Sequence, residues 1–181
     1  MNFKLEPGDI FAVRGHWLTM WLVTHLLQPY INRTHFGILW HERPDGDFVI
    51  IESIARGLSI GLLSWYKDYE KTFYRVNCPA DLRHEAPDAL VEWGRASYDY
   101  LLILKLAAGA VVAFFKILIK ERKIRKLRAE DFPYIENSSL ICTEAPDVAY
   151  DAVGVNIIPL GVVPIPSAFR QAEIEGRIFT E

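Results

Sequence analysis

The chain predicts an α+β fold, and three observations carry that reading. Strand-like and helix-like segments are segregated along the sequence, and two strands are joined by turn chemistry short enough to force antiparallel pairing. Hydrophobic residues make up 51% and aromatic residues 13% of the 181, enough to pack an interior and too apolar for disorder. No repeat or low-complexity linker divides the sequence, so residues 1–181 read as a single domain.

The elements follow in order. A first strand is expected over Asp9–Arg14. The aromatic-rich apolar run from Trp17 to Leu27 suits a helix over Trp17–Gln28, which is short of the roughly 20 residues a bilayer demands. Alternating His35–His41 and β-branched Asp47–Ile54 are strands, with Arg43-Pro44-Asp45-Gly46 between them to preset φ and close a reversal. A short strand at Leu58–Ile60, a helix at Leu62–Tyr69 and a strand at Thr72–Asn77 come next. Residues 89–128 lack proline and suit one long helix over Ala89–Lys126. A further helix is expected at Thr143–Val153. A last strand near Ile157–Ile165 carries so many prolines that an edge position or an extended wrap is expected for it.

Chemistry enters with Cys142. Small polar residues Asn137, Ser138 and Ser139 precede it and a helix-compatible run follows, so the thiol is expected at a helix start. Unpaired N–H groups and the positive end of the helix dipole favour a thiolate there, the form that attacks. Pro146 is comfortable only in a first turn, so a helix beginning near Cys142 or Thr143 accommodates it, whereas one beginning at Ser138 or Ser139 would be kinked. The plainer reading is that Cys142 is a small buried hydrophobe, as most free cysteines are.

A thiol nucleophile needs a base and a group to orient that base. Of five histidines, His35 stands in a strand; His16 and His25 belong to the aromatic-rich segment, His41 adjoins the turn, and His84 begins a polar stretch. Glu52 is the one ionisable residue in an otherwise apolar strand, and a carboxylate there needs a partner. A four-residue connection over Glu42–Asp45 sets Glu52 directly opposite His35. A three-residue Pro-Asp-Gly loop instead sets Ala55 opposite His35 unless a bulge restores the match.

These pieces together resemble the permuted branch of the NlpC-type papain-like thiol hydrolases, which includes the YiiX-like proteins and is related to lecithin–retinol acyltransferase-like enzymes. The matching segments are Leu5-Glu6-Pro7-Gly8-Asp9-Ile10, Thr34-His35-Phe36-Gly37-Ile38, Val49-Ile50-Ile51-Glu52 with Gly57, Tyr98-Asp99, and Cys142-Thr143-Glu144. The order His, acidic residue, Cys distinguishes the permuted branch from the ordinary one. The resemblance implies a circularly permuted papain-like core, a small antiparallel sheet packed on helices, in which Cys142 attacks a carbonyl, His35 deprotonates the thiol and Glu52 holds the imidazole. It also implies an aromatic hydroxyl near the nucleophile, a role Tyr98 could fill, and peptide or acyl-lipid substrates. Two departures stand out: an apolar and then basic stretch separates Tyr98-Asp99 from the cysteine, and Pro146 follows the cysteine by four.

That intervening stretch reads as a helical insertion at about 101–128. Between Leu101 and Ile119 its only charges are Lys105 and Lys116, about 20° apart on a helical projection. Over 101–128 there are eight basic residues against Glu121 alone, while the remainder holds 12 basic and 22 acidic. Lys116, Lys120, Arg122, Lys123, Arg125, Lys126 and Arg128 are therefore candidates for contact with an anionic surface, lipid headgroups before nucleic acid, because stacking aromatics and nucleic-acid motifs are missing from the run. Burying both lysines would penalise a spanning helix, which favours one lying on a surface.

Only Cys78 and Cys142 occur, and no Cys/His spacing matches a zinc site, so no metal, cofactor or disulfide framework is expected. A reducing compartment suits two free thiols, and the N-terminal residues lack a charged-then-apolar signal pattern, which points to the cytoplasm, peripheral to a membrane if the insertion binds lipid. The function expected is hydrolysis of an amide or ester, or acyl transfer, through an acyl-enzyme on Cys142. The alternative is a non-catalytic membrane-surface or adaptor protein that uses the basic amphipathic helix.

Overall fold

A computed structural model describes residues 4–14, 25, 27–93, 100–121, 125–132 and 140–180, with side chains in the 100–121 segment described at 105 and 108–119. In chain order it contains β1 (Ile10–Val13), β2 (His35–Glu42), β3 (Phe48–Ile54), β4 (Gly57–Leu62), a 3₁₀ turn (Leu63–Tyr66), β5 (Lys71–Val76), α1 (Ala80–Glu92), α2 (Tyr100–Glu121), a second 3₁₀ turn (Ala129–Asp131), α3 (Glu144–Ala152), α4 (Pro166–Ile174) and β6 (Ile178–Thr180). Among the described residues the fold is α+β: a six-stranded antiparallel open sheet in the order β4-β3-β2-β1-β5-β6, with four helices.

The β2–β3 hairpin sets the geometry of everything that follows. Arg43 N–H bonds Asp47 O across the loop Pro44-Asp45-Gly46, with Gly46 at φ +82°. The three-residue connection pairs Glu42 with Phe48 and His41 with Val49. Continued unbroken, this register would put Glu52 opposite Ile38 and so on the face away from His35. Trp40 interrupts it as a bulge: beyond it Leu39 pairs with Ile50 and Gly37 with Glu52. One extra residue restores the parity, so His35, Gly37 and Glu52 share a face, with Glu52 diagonal to His35 and not directly opposite. The Trp40 indole N–H donates to Asp88 of α1 at 2.6 Å, which holds the bulged residue towards the helices.

The two faces of the sheet differ in their cover. On one, Ile10, Ala12, Phe36, Ile38, Ile51 and Tyr74 join Ala86 and Leu90 of α1, Ala145, Ala149 and Tyr150 of α3, and Phe169 of α4 in the main core. On the other, Phe11, Val13, Leu39, Phe48 and Ile50 form a smaller cluster covered by Leu5, Leu63, Tyr66 and Phe73. The turn ahead of β1 is fixed from both sides: buried Asp9 accepts two bonds from the Arg75 guanidinium, at 2.8 and 2.7 Å, and the Tyr150 hydroxyl donates to Gly8 O at 2.7 Å. A Cβ on Gly8 would lie 2.1 Å from Arg83 O, the carbonyl whose helical donor Pro87 cannot supply.

Several sequence expectations are corrected. The long helix over Ala89–Lys126 is two helices, because α1 starts earlier, takes Pro87 into its interior, and has Trp93 as its C-cap. Arg125 to Arg128 are not helical; Leu127 runs beside Leu27 and is buried, drawing the chain back to the core. Leu62–Tyr69 gives the end of a strand and a 3₁₀ turn. Ile157–Ile165 forms no strand: Ile157, Ile158, Val163 and Ile165 are buried in an irregular wrap, since its prolines cannot donate to a ladder. The sheet instead gains β6, against β5. Most of the helix expected at Trp17–Gln28 lies outside the described residues, as do Tyr98, Arg122 and Lys123 and the side chain of Lys120. Among the described residues, no helix is long and apolar enough to cross a membrane.

Candidate active site

Cys142 stands in the turn that opens α3. Ile141 O accepts from the N–H groups of Glu144 and Ala145, and the Glu144 carboxylate reaches back to Ile141 N–H at 2.8 Å. This reciprocal arrangement resembles a capping box and fixes the helix start at the thiol. The N–H groups of Cys142 and Thr143 fall outside the helical ladder, as the first donors of any helix do. Pro146 is the third residue of α3, where its missing N–H would have faced Cys142 O, so it is tolerated without a kink. Upstream, the Ser53 hydroxyl donates to Leu140 O at 2.7 Å, which ties the approach to Cys142 to β3. The thiol is only partly buried, and its Sγ lies 3.6 Å from Thr34 O.

That contact places the sulfur beside the first residue of β2, His35. The His35 Nε2 lies 2.5 Å from Glu52 Oε2 and 3.1 Å from the Tyr66 hydroxyl, which leaves Nδ1 for Cys142. Burial by itself would push the His35 imidazolium down. Hydrogen bonds to Cys142 and Glu52, with the charges of both, outweigh burial and raise it to about 9. The three residues therefore meet although they come from β2, β3 and the α3 start, 107 positions apart along the chain at the extremes.

Glu52 is 3% exposed, and its Oε2 also accepts from the Tyr66 hydroxyl at 2.5 Å. Burial, together with the Glu52 hydrogen bond and charge, pushes the Tyr66 phenol up, so it remains a donor. Tyr66 stacks on the His35 ring at 5.8 Å between centroids and packs against Phe11 at 5.3 Å. Phe11 needs Gly37 beneath it: a Cβ there would come within 2.4 Å of the phenyl ring. Gly61 likewise leaves room for the Trp65 indole next to Glu52, since its Cβ would lie 2.8 Å from that ring and 3.5 Å from Glu52 Oε1.

Tyr66, Gly37 and Gly61 are the site residues that sequence reasoning missed. Tyr66 lies in a segment that scans as a short helix, and nothing in its neighbours marks it as facing a carboxylate on β3. His41 is exposed and turned to the other face by the bulge, and His84 is an exposed residue of α1. Of the basic candidates, Arg125 forms a two-pronged pair with Asp131 at 2.7 and 2.9 Å, while Lys116, Lys126 and Arg128 are exposed. Among the described residues, no group of three or more His, Cys, Asp or Glu side chains is placed to hold a metal ion.

The arrangement is a partly buried thiol at a helix start, next to an imidazole whose far side is held by a carboxylate and a phenol. Compared with protein families, with curated proteins and with solved structures, the chain matches none.

Proposed function

We propose that the protein is a cysteine hydrolase or acyltransferase acting on an amide or ester. One observation carries the reading: Glu52 is hydrogen-bonded to His35, and the partly exposed Cys142 thiol, against Thr34 O, lies next to that imidazole, although the three residues are far apart in sequence. The order His, Glu, Cys and the antiparallel sheet packed on the nucleophile's helix fit the permuted NlpC-type papain-like hydrolases, with α2 and the basic run after it as an insertion.

In the proposed cycle the reactive state is the thiolate–imidazolium pair. The Cys142 sulfur adds to the carbonyl carbon, and the oxyanion takes hydrogen bonds from first-turn N–H groups of α3. Collapse breaks the carbonyl–nitrogen or carbonyl–oxygen bond, and the His35 imidazolium gives its proton to the departing amine or alcohol. The neutral imidazole then takes a proton from water, or from an acceptor amine, as that group attacks the thioester, and the thiolate leaves. Glu52 keeps the ring oriented and stabilises its charged form, and Tyr66 holds Glu52.

The test compares the two cysteines of one chain. Burial pushes the Cys78 thiol up, so iodoacetamide at neutral pH should alkylate Cys142 well ahead of it, and His35→Ala should abolish that preference. A panel of acyl esters and peptide amides should leave an acyl group on Cys142, seen by intact mass, and Cys142→Ala should remove turnover without changing the thermal transition. Equal alkylation of both thiols, unaltered by His35→Ala, would refute an activated nucleophile.

A further inference from the structure

Helix α2 has two opposite apolar sides, and the core uses only one. Ala113 and Ile117, about 40° apart on the helical projection, are buried in the main cluster. Val111, Val112, Phe115, Leu118 and Ile119 occupy a band about 120° wide centred on the reverse side. Four of these are more than half exposed, Ile119 reaching 77%. The band is bordered along one edge by exposed Lys105 and Lys116.

A continuous apolar band on a protein surface marks a contact, and the charge beside it identifies the partner. The 101–128 segment holds eight basic residues and one acidic, in a chain whose net charge is −3. A second copy docking face to face would bring two such segments together at the cost of like-charge repulsion. An anionic lipid surface accepts both features at once, taking the apolar side chains below the headgroups and the lysines among them. Ala113 and Ile117 fasten the opposite side of the helix to the domain core, so α2 would lie parallel to the membrane plane.

We infer that α2 is an in-plane docking helix for anionic membranes, entering lipid through Val111, Val112, Phe115, Leu118 and Ile119 with Lys105 and Lys116 at the headgroup level. This goes beyond the hydrolase reading and stands without it.

The 181-residue chain is mixed at low ionic strength with vesicles of phosphatidylcholine, with or without phosphatidylglycerol, and bound protein is measured by sedimentation. Binding to the anionic vesicles should be about tenfold tighter than to the neutral ones, and Lys105→Glu with Lys116→Glu should erase that preference. Phe115→Ser with Ile119→Ser should weaken binding to both vesicles by about tenfold or more. These positions are exposed, so the variants should melt like wild type. A Phe115→Trp reporter should shift its emission to the blue when anionic vesicles are added. Failure of the wild type to bind anionic vesicles at low salt, equal binding by the serine variant, or a lipid-free dimer in which the reporter is already shielded would overturn the inference.

Discussion

Glu52 carries its carboxylate into a strand interior at 3% exposure, where an unpaired charge would cost several kcal/mol. Two partners on one oxygen, the His35 imidazole and the Tyr66 hydroxyl, compensate for the lost water. In the proposed cycle Tyr66 is a positioning residue that acts through Glu52 and His35. Tyr66→Phe removes one hydrogen bond to a charged group, so kcat/KM for a reactive ester should fall about tenfold, mostly in kcat. The same substitution leaves the whole carboxylate charge to His35, so the alkaline limb of the rate profile, expected near 9 in the wild type, should move upward. An unchanged profile in the phenylalanine variant would show that the hydroxyl is only packing.

At the scale of elements, β1 and β2 are neighbours in the sheet, and the residue of β2 paired with Phe11 of β1 has no side chain. Gly37 lies under the Phe11 ring, and that ring in turn supports His35 and Tyr66. Gly37→Ala should therefore lower the unfolding free energy by about 1–3 kcal/mol, the usual range for overpacking, read from the midpoint of urea denaturation. Phe11→Leu in the same chain should recover most of that loss, because the clash needs both groups. Strictly additive costs in the double variant would show that the two residues do not press on each other. The hairpin follows the same logic. Its three-residue loop is one of the two connections compatible with the sequence, and the bulge that rescues the parity of Glu52 falls at Trp40, whose indole bonds Asp88, a residue of a different element.

Across the described residues, His35 and Asp147 are among the groups that make stability fall as the pH rises. His35 is raised from 6.5 to about 9, so its contribution is complete below 6.5 and is lost as the pH climbs through 9. Asp147 in α3 is pushed up to about 8 by burial and then by the charge of Asp151, so the folded state holds a proton that the unfolded chain releases near 3.8. Its contribution is complete below 3.8 and declines until the pH passes 8. Asp147→Asn keeps an acceptor for Ile158 N–H and removes the titration, so its stability should decline less than that of wild type between about pH 4 and 8. Parallel curves for variant and wild type, followed by thermal melting across that interval, would contradict the assignment.

What the sequence determined by itself was the local chemistry. Turn residues at 43–46 specified a hairpin, a lone Glu in an apolar strand announced a buried partner, and Pro146 limited where the helix after Cys142 could begin. Those signals are short-range, set by φ preferences and by the cost of an unpaired charge, and they survive folding unchanged. Tertiary structure decided the rest, because it depends on contacts between distant segments. Residues 89–126 read as one helix until α1 packed its own face on the sheet; residues 157–165 read as a strand until prolines and burial turned them into a wrap. Tyr66 acquired its role only when the 3₁₀ turn after β4 folded over the face that the Trp40 bulge had given to Glu52.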